Sequence, residues 1–122
     1  MKRIAVIGES CMDVFVYCDA NRLSPEAPVP VLNVVEEKNN AGMASNVLLN
    51  LEKLVFYELL LFTNPNWSEI TKTRYVHHKT NHMFLRVDTV QKIEPLDYTM
   101  LDLGHFDAIV ISDYNKGFLS EK

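Results

Sequence analysis

The chain has 122 residues, 48% hydrophobic and 23% charged, with 12 Lys and Arg against 16 Asp and Glu for a net charge of −4. That length holds one domain with a usable core, and the apolar share excludes the disordered class. The acidic balance argues against nucleic acid as a main ligand, which needs clustered cations, and no apolar run approaches the roughly 20 residues of a membrane span.

The first apolar stretch stops at Gly8 and Glu9, before a signal-peptide core is complete, so a cytoplasmic location is expected. Residues 2–7 are rich in Ile and Val and alternate little, which predicts a strand buried on both faces of a parallel sheet. Residues 13–17 mix β-branched, aromatic and polar types, and residues 21–30 carry Pro25, Pro28 and Pro30, the composition of a half-exposed hairpin or flap. Cys11 and Cys18 lie seven apart in one extended segment, which predicts free thiols rather than a disulfide or a zinc site. Residues 31–37 resume as a strand, and Asn39-Asn40-Ala41-Gly42 is expected to break the chain, with Asn39 and Asn40 as helix caps.

Met43, Val47, Leu48, Leu51 and Leu54 fall at helical spacing and predict a helix over 43–54. Residues 56–62 read as a second buried strand closed by the turn Thr63-Asn64-Pro65-Asn66. Residues 71–77 and 83–88 read as a hairpin, 96–103 as a short helix, and 107–112 as a further fully buried strand. The elements predict an α/β fold.

Ligands of open α/β sheets collect at the carboxyl ends of the strands. Polar clusters at residues 8–13, 41–46 and 112–117 fall at such ends, with turn and capping roles as the plain alternative. Gly42 at a helix entry allows close backbone approach to a hydroxyl-rich or anionic ligand, although neither standard glycine-rich phosphate motif is present. Lys72, Arg74 and Arg86, on adjacent predicted strands, are candidates for a small anion site or for surface ion pairs. His77, His78 and His82 lack the face and the companions of a metal site and read as solvated turn residues.

Gly8-Glu9-Ser10-Cys11-Met12-Asp13, Leu23-Ser24-Pro25-Glu26-Ala27-Pro28-Val29-Pro30-Val31, Gly42-Met43-Ala44-Ser45-Asn46-Val47, Thr71-Lys72-Thr73-Arg74-Tyr75-Val76, Phe84-Leu85-Arg86-Val87-Asp88 and Ser112-Asp113-Tyr114-Asn115-Lys116-Gly117 follow one another in a familiar order. In that order the chain resembles the ribokinase-like (PfkB-type) carbohydrate kinases, and among them the branch acting on D-glycero-D-manno-heptose 7-phosphate for ADP-heptose formation. The resemblance implies the N-terminal half of a ribokinase-like domain spanning residues 1–122, with parallel core strands and a β lid at about 13–38. It implies that Asp13 accepts sugar hydroxyls, that Gly42 and Asn46 shape the sugar pocket, and that Arg86, with Lys72 and Arg74, holds the substrate. Asp113 and Lys116 would lie near the junction with the nucleotide.

Two departures stand out: the family's Gly-Gly pair is Gly42-Met43 here, and no Gly-x-Gly-Asp motif with the catalytic base occurs in the 122 residues. No catalytic or metal-binding residue is therefore assigned. ATP and Mg²⁺ are implied for a complete enzyme but not as tight ligands of this chain. The expected partners are a sugar or sugar phosphate, a C-terminal kinase half, and a second copy through the lid. A stand-alone sugar-phosphate module and a non-catalytic interaction protein are the alternatives.

Overall fold

The computed structural model describes residues 2–89 and 92–120. Among the described residues, seven strands and one α-helix follow in chain order: β1 (Arg3–Gly8), β2 (Ser10–Leu23), β3 (Pro30–Met43), α1 (Ala44–Leu54), β4 (Glu58–Phe62), β5 (Thr71–His77), β6 (Met83–Asp88) and β7 (Ala108–Ser112). They make two sheets, a parallel one ordered β4-β1-β7 and a mixed one ordered β3-β2-β5-β6. The architecture is α/β, as expected.

β1 is the centre of the parallel sheet, and its residues 4–8 are buried because both neighbours and both faces cover them. At its end Ala44, the first residue of α1, lies against Gly8. Ile7, on the alternate face, joins buried Cys11, Met43, Ile70, Ile93 and Phe118, with Phe62, Leu96, Leu101 and Leu103 packed around them. A second cluster of Val14, Val16 and Cys18 belongs to the mixed sheet.

β5, β6 and the hairpin between them follow the sequence pattern, whereas several other elements differ from it. Asn39-Asn40-Ala41-Gly42 does not break the chain. These residues continue β3 and pair in register with Val14, Asp13, Met12 and Cys11, so a long antiparallel ladder overrides their turn preference. Neither asparagine caps α1; its N-cap is Met43, and the helix's free amides are served from β2 and from Glu9. Residues 96–103 form only a single 3₁₀ turn, Tyr98–Met100, and pack their leucines against the cluster that contains Ile7. β4 and β7 are edges rather than buried strands, with Ile111 64% exposed and Phe56, just before β4, 98% exposed. Cys11 and Cys18 are free and buried.

The pairing of β1 with β7 depends on Gly8. A Cβ there would stand 2.0 Å from the carbonyl oxygen of Ser112, a backbone atom that cannot swing away. Gly8→Ala is expected to destabilise the chain by about 3 kcal/mol or more, read from urea unfolding; a loss below about 1 kcal/mol would contradict the tight approach.

Candidate functional site

Partnered positions in a sheet share a face, so the registers decide which side chains meet. Asp13 pairs with Lys72 and Phe15 with Arg74 across β2 and β5, and Lys72 pairs with Asp88 and Arg74 with Arg86 across β5 and β6. All six therefore project from one face of the mixed sheet. Arg74 is fixed twice there: Nη1 donates to Asp13 Oδ1 at 3.1 Å, and the guanidinium lies 5.3 Å from the centre of the Phe15 ring. Arg86 makes a two-pronged contact with Asp88, 2.7 Å on each arm, which holds the Asp88 carboxyl below its ordinary pKa. Arg86 thus commits Nε and Nη2 to Asp88 and stays exposed on the same face as Arg74.

Gly42 sits directly beside Asp13. A Cβ on it would lie 2.5 Å from Asp13 Oδ2 and 2.8 Å from Cys11 Sγ, so the missing side chain is what lets the carboxylate occupy this place. Met43 follows with φ 56°, in the left-handed region that favours glycine, and is 6% exposed. The strain explains why a glycine pair suits this turn, and the methionine side chain forms part of the wall of the adjoining cavity.

That cavity, about 300 Å³, has Met43, Ile70 and Ile93 as apolar lining and three lysines, Lys72, Lys92 and Lys116, with Asp88 as its acid. Because Asp88 is matched by Arg86, the lysines leave the cavity with an excess of positive charge in a chain whose net charge is −4. Lys92 escaped the sequence reading, since nothing in residues 89–95 marks a lysine as different from a surface one. It is held by a relay of side chains. Ser10 N donates to Asn64 Oδ1 at 2.7 Å, Asn64 Nδ2 donates to Asn66 Oδ1 at 2.9 Å, and Asn66 Nδ2 donates to the Lys92 carbonyl at 3.0 Å.

Asn46 and Asp113 stand apart from the cavity lining. Asn46 is exposed on the first turn of α1, and Asp113 is exposed, with Oδ1 accepting from Asn115 N at 2.8 Å. His78 Nε2 lies 2.7 Å from Asp19 Oδ1, His77 stacks on His78, and His82 lies edge-on to Phe84, all at the end of the hairpin away from the lysines. Among the described residues, no group of three or more His, Cys, Asp or Glu is placed to hold a metal ion, and no helix is long and apolar enough to cross a membrane.

No family model matches the chain. Over 98% of its length it is 35% identical to the Bifunctional protein HldE of Helicobacter pylori strain P12, and over 98% it is 29% identical to the protein of that name from Aeromonas hydrophila. These matches take up 33% and 31% of the two proteins, so the chain spans about a third of the length of the curated relatives it matches. The first alignment runs over 152 positions, more than the 122 residues present, so at least 30 positions fall opposite gaps in this chain. Ribokinase from Thermotoga maritima is 16% identical, with a TM-score of 0.37 over 73% of this chain and 36% of that one. The microbiome-derived acarbose kinase Mak1 is 10% identical, with a TM-score of 0.42 over 91% and 45%. Superpositions this loose leave the relationship resting on the sequence match.

Burial, and after it the Asp13 carboxylate, pushes the Cys11 thiol pKa up against the pull of Lys72, Arg74 and Arg86; burial, and after it Asp19, does the same for Cys18. The folded state therefore keeps these protons to higher pH than the unfolded chain. Their contribution to stability is complete below the unfolded thiol pKa of about 8.5 and is lost as pH rises through the folded values. Urea midpoints measured between about pH 7.5 and 10 should fall more steeply for the wild type than for Cys11→Ala/Cys18→Ala; parallel curves would contradict the shifts.

Proposed function

We propose that this chain, a relative of the HldE proteins matching about a third of their length, is the sugar-phosphate-binding, N-terminal portion of a carbohydrate kinase. One observation carries the reading: the lysine-lined cavity adjoins the face on which Asp13, Lys72 and Arg74 meet. A phosphate suits the cationic cavity, and sugar hydroxyls suit an ionised carboxylate whose Oδ1 is oriented by Arg74 and whose Oδ2 borders Gly42. A heptose 7-phosphate has both kinds of group, and this is the substrate proposed.

In a complete kinase, ATP supplies the transferred phosphoryl group and Mg²⁺ offsets its charge. The acids at this site do not fit a metal: Asp13 and Asp88 are matched by Arg74 and Arg86, and Glu9 is buried. The chain's own part is then to bind the sugar phosphate and orient it, with Asp13 and Gly42 on the sugar and Lys72, Lys92 and Lys116 on the phosphate. Phosphoryl transfer falls to a C-terminal kinase half. The exposed Phe56, Ile109 and Ile111 beside the parallel sheet support such a partner, since apolar strands of this kind are ordinarily covered. A second copy meeting the lid is also proposed, because β3 and β6 are the edges of the mixed sheet.

Calorimetric titration with D-glycero-D-manno-heptose 7-phosphate tests the reading. The wild type should bind, Asp13→Ala should bind roughly tenfold more weakly or worse, and His82→Ala should match the wild type. Lys72→Met should weaken binding of the phosphate but not of the free heptose. Equal binding by Asp13→Ala would remove Asp13 from the pocket, and no binding by the wild type would favour the interaction-protein reading. The chain incubated alone with ATP and the heptose phosphate is expected to show no turnover; measurable turnover by material free of other kinases would refute the division of labour.

A further inference from the structure

Glu9, the single residue between β1 and β2, is 0% exposed, and its carboxyl group does not line the cavity. Its side chain leaves the sheet toward the segment that follows β7, where Oε1 accepts from the backbone amide of Tyr114; Oε2 has no hydrogen-bond partner. Its main-chain carbonyl accepts from the amide of Ala44 at 3.0 Å, next to Met43 of the cavity wall. One residue thus joins the end of the central strand to two borders of the cavity.

The segment it reaches is weakly held otherwise. Residues 113–117 are exposed and include two left-handed positions, Asn115 at φ 57° and Gly117 at φ 95°. Lys116 stands between two anchors: the Tyr114 amide on Glu9, and Phe118, which is buried in the core and whose carbonyl accepts from Leu96 N at 2.7 Å. Without the first anchor, the chain from Asp113 to Gly117 would retain the Asp113–Asn115 turn bond at its start, which is internal to the loop and cannot fix its place over the cavity. A fully buried carboxylate with one oxygen unmatched is costly to keep, and its one matched oxygen serves this loop.

We infer that Glu9 is a positioning residue for the phosphate end of the site, acting through Tyr114 N–H to hold Lys116 over the cavity. This rests on the sugar-phosphate reading for its ligand and on geometry alone for the loop. The acceptor, more than the charge, does the holding, so glutamine should serve where alanine does not.

Amide hydrogen exchange and binding, measured on the whole chain, separate the two parts. In Glu9→Ala the amide of Tyr114 should exchange at least about tenfold faster while that of Val6 in β1 is unchanged; Glu9→Gln should stay near the wild type. Heptose 7-phosphate should bind roughly tenfold more weakly to Glu9→Ala, and no more weakly to Glu9→Ala/Lys116→Met than to Lys116→Met, since one change acts through the other. Should the alanine variant fail to fold, Glu9→Asp, which withdraws the acceptor by one methylene, takes its place with the same pattern expected. Unchanged exchange at Tyr114 overturns the inference whether or not sugar phosphate binds, as do additive losses in the double variant or equal damage from glutamine. If the wild type binds no heptose phosphate but the exchange pattern holds, the sugar-phosphate reading fails and the loop assignment stands.

Discussion

The reciprocal bond between Ser10 and Asn64 is the joint on which the arrangement depends. Ser10 donates its amide to Asn64 Oδ1, Asn64 Nδ2 returns a bond to the Ser10 carbonyl at 3.3 Å, and both residues are fully buried. The Ser10 hydroxyl is the hub of the same cluster, within 2.7 to 3.2 Å of Thr63 Oγ1, Ser45 Oγ and Ser45 N. These contacts tie together the start of β2, the end of β4 and the first turn of α1. Buried polar groups are expensive unless matched, so a network of this kind admits few alternative alignments of its elements. It also explains how a helix entered from a strained methionine, with no capping side chain of its own, is stabilised: the missing cap is supplied from 35 residues away.

From that joint the site is built outward along two paths. One runs through Asn66 to the Lys92 carbonyl, and the other through the β2 ladder, which sets Asp13 opposite Lys72 and beside Gly42. The cations of the cavity come from three separate stretches of chain, and only the fold brings them into one volume. A chain with a net charge of −4 can in this way still present a local excess of positive charge.

Much of the mixed sheet was legible because its strands advertise themselves. In β5 and β6, β-branched and aromatic residues alternate with charges around a polar turn, and the register then follows from the hairpin. What misled was local signal at positions governed from a distance. Asn39 and Asn40 look like caps, yet a 14-residue β2 offers them partners that no nearby window reveals. Leucines at 96, 101 and 103 have helical composition, but they answer to the buried cluster around Ile7, Met43 and Phe118 and take whatever backbone path packs against it. Of the site, Lys72, Arg74 and Arg86 could be grouped from their spacing on the two strands of one hairpin, whereas Asp13 joins them only through the long-range pairing of β2 with β5. Lys92 and the tether of Tyr114 could not, because both depend on side-chain bonds between segments more than 20 residues apart.

Two of the four crossings between the mixed sheet and the rest of the molecule have no spare length: Glu9 alone separates β1 from β2, and β3 passes from Met43 into α1 with no intervening residue, while the other two run over residues 63–70 and 89–107. A lid on long linkers would have to surrender a wide range of orientations each time it closed on a ligand, and that entropy would be subtracted from affinity. Here the two short crossings at the Glu9 and Met43 end narrow that range before any ligand arrives. The sheet face that carries Asp13 is therefore held against the parallel sheet by the chain itself, and that ordering was completed when the chain folded.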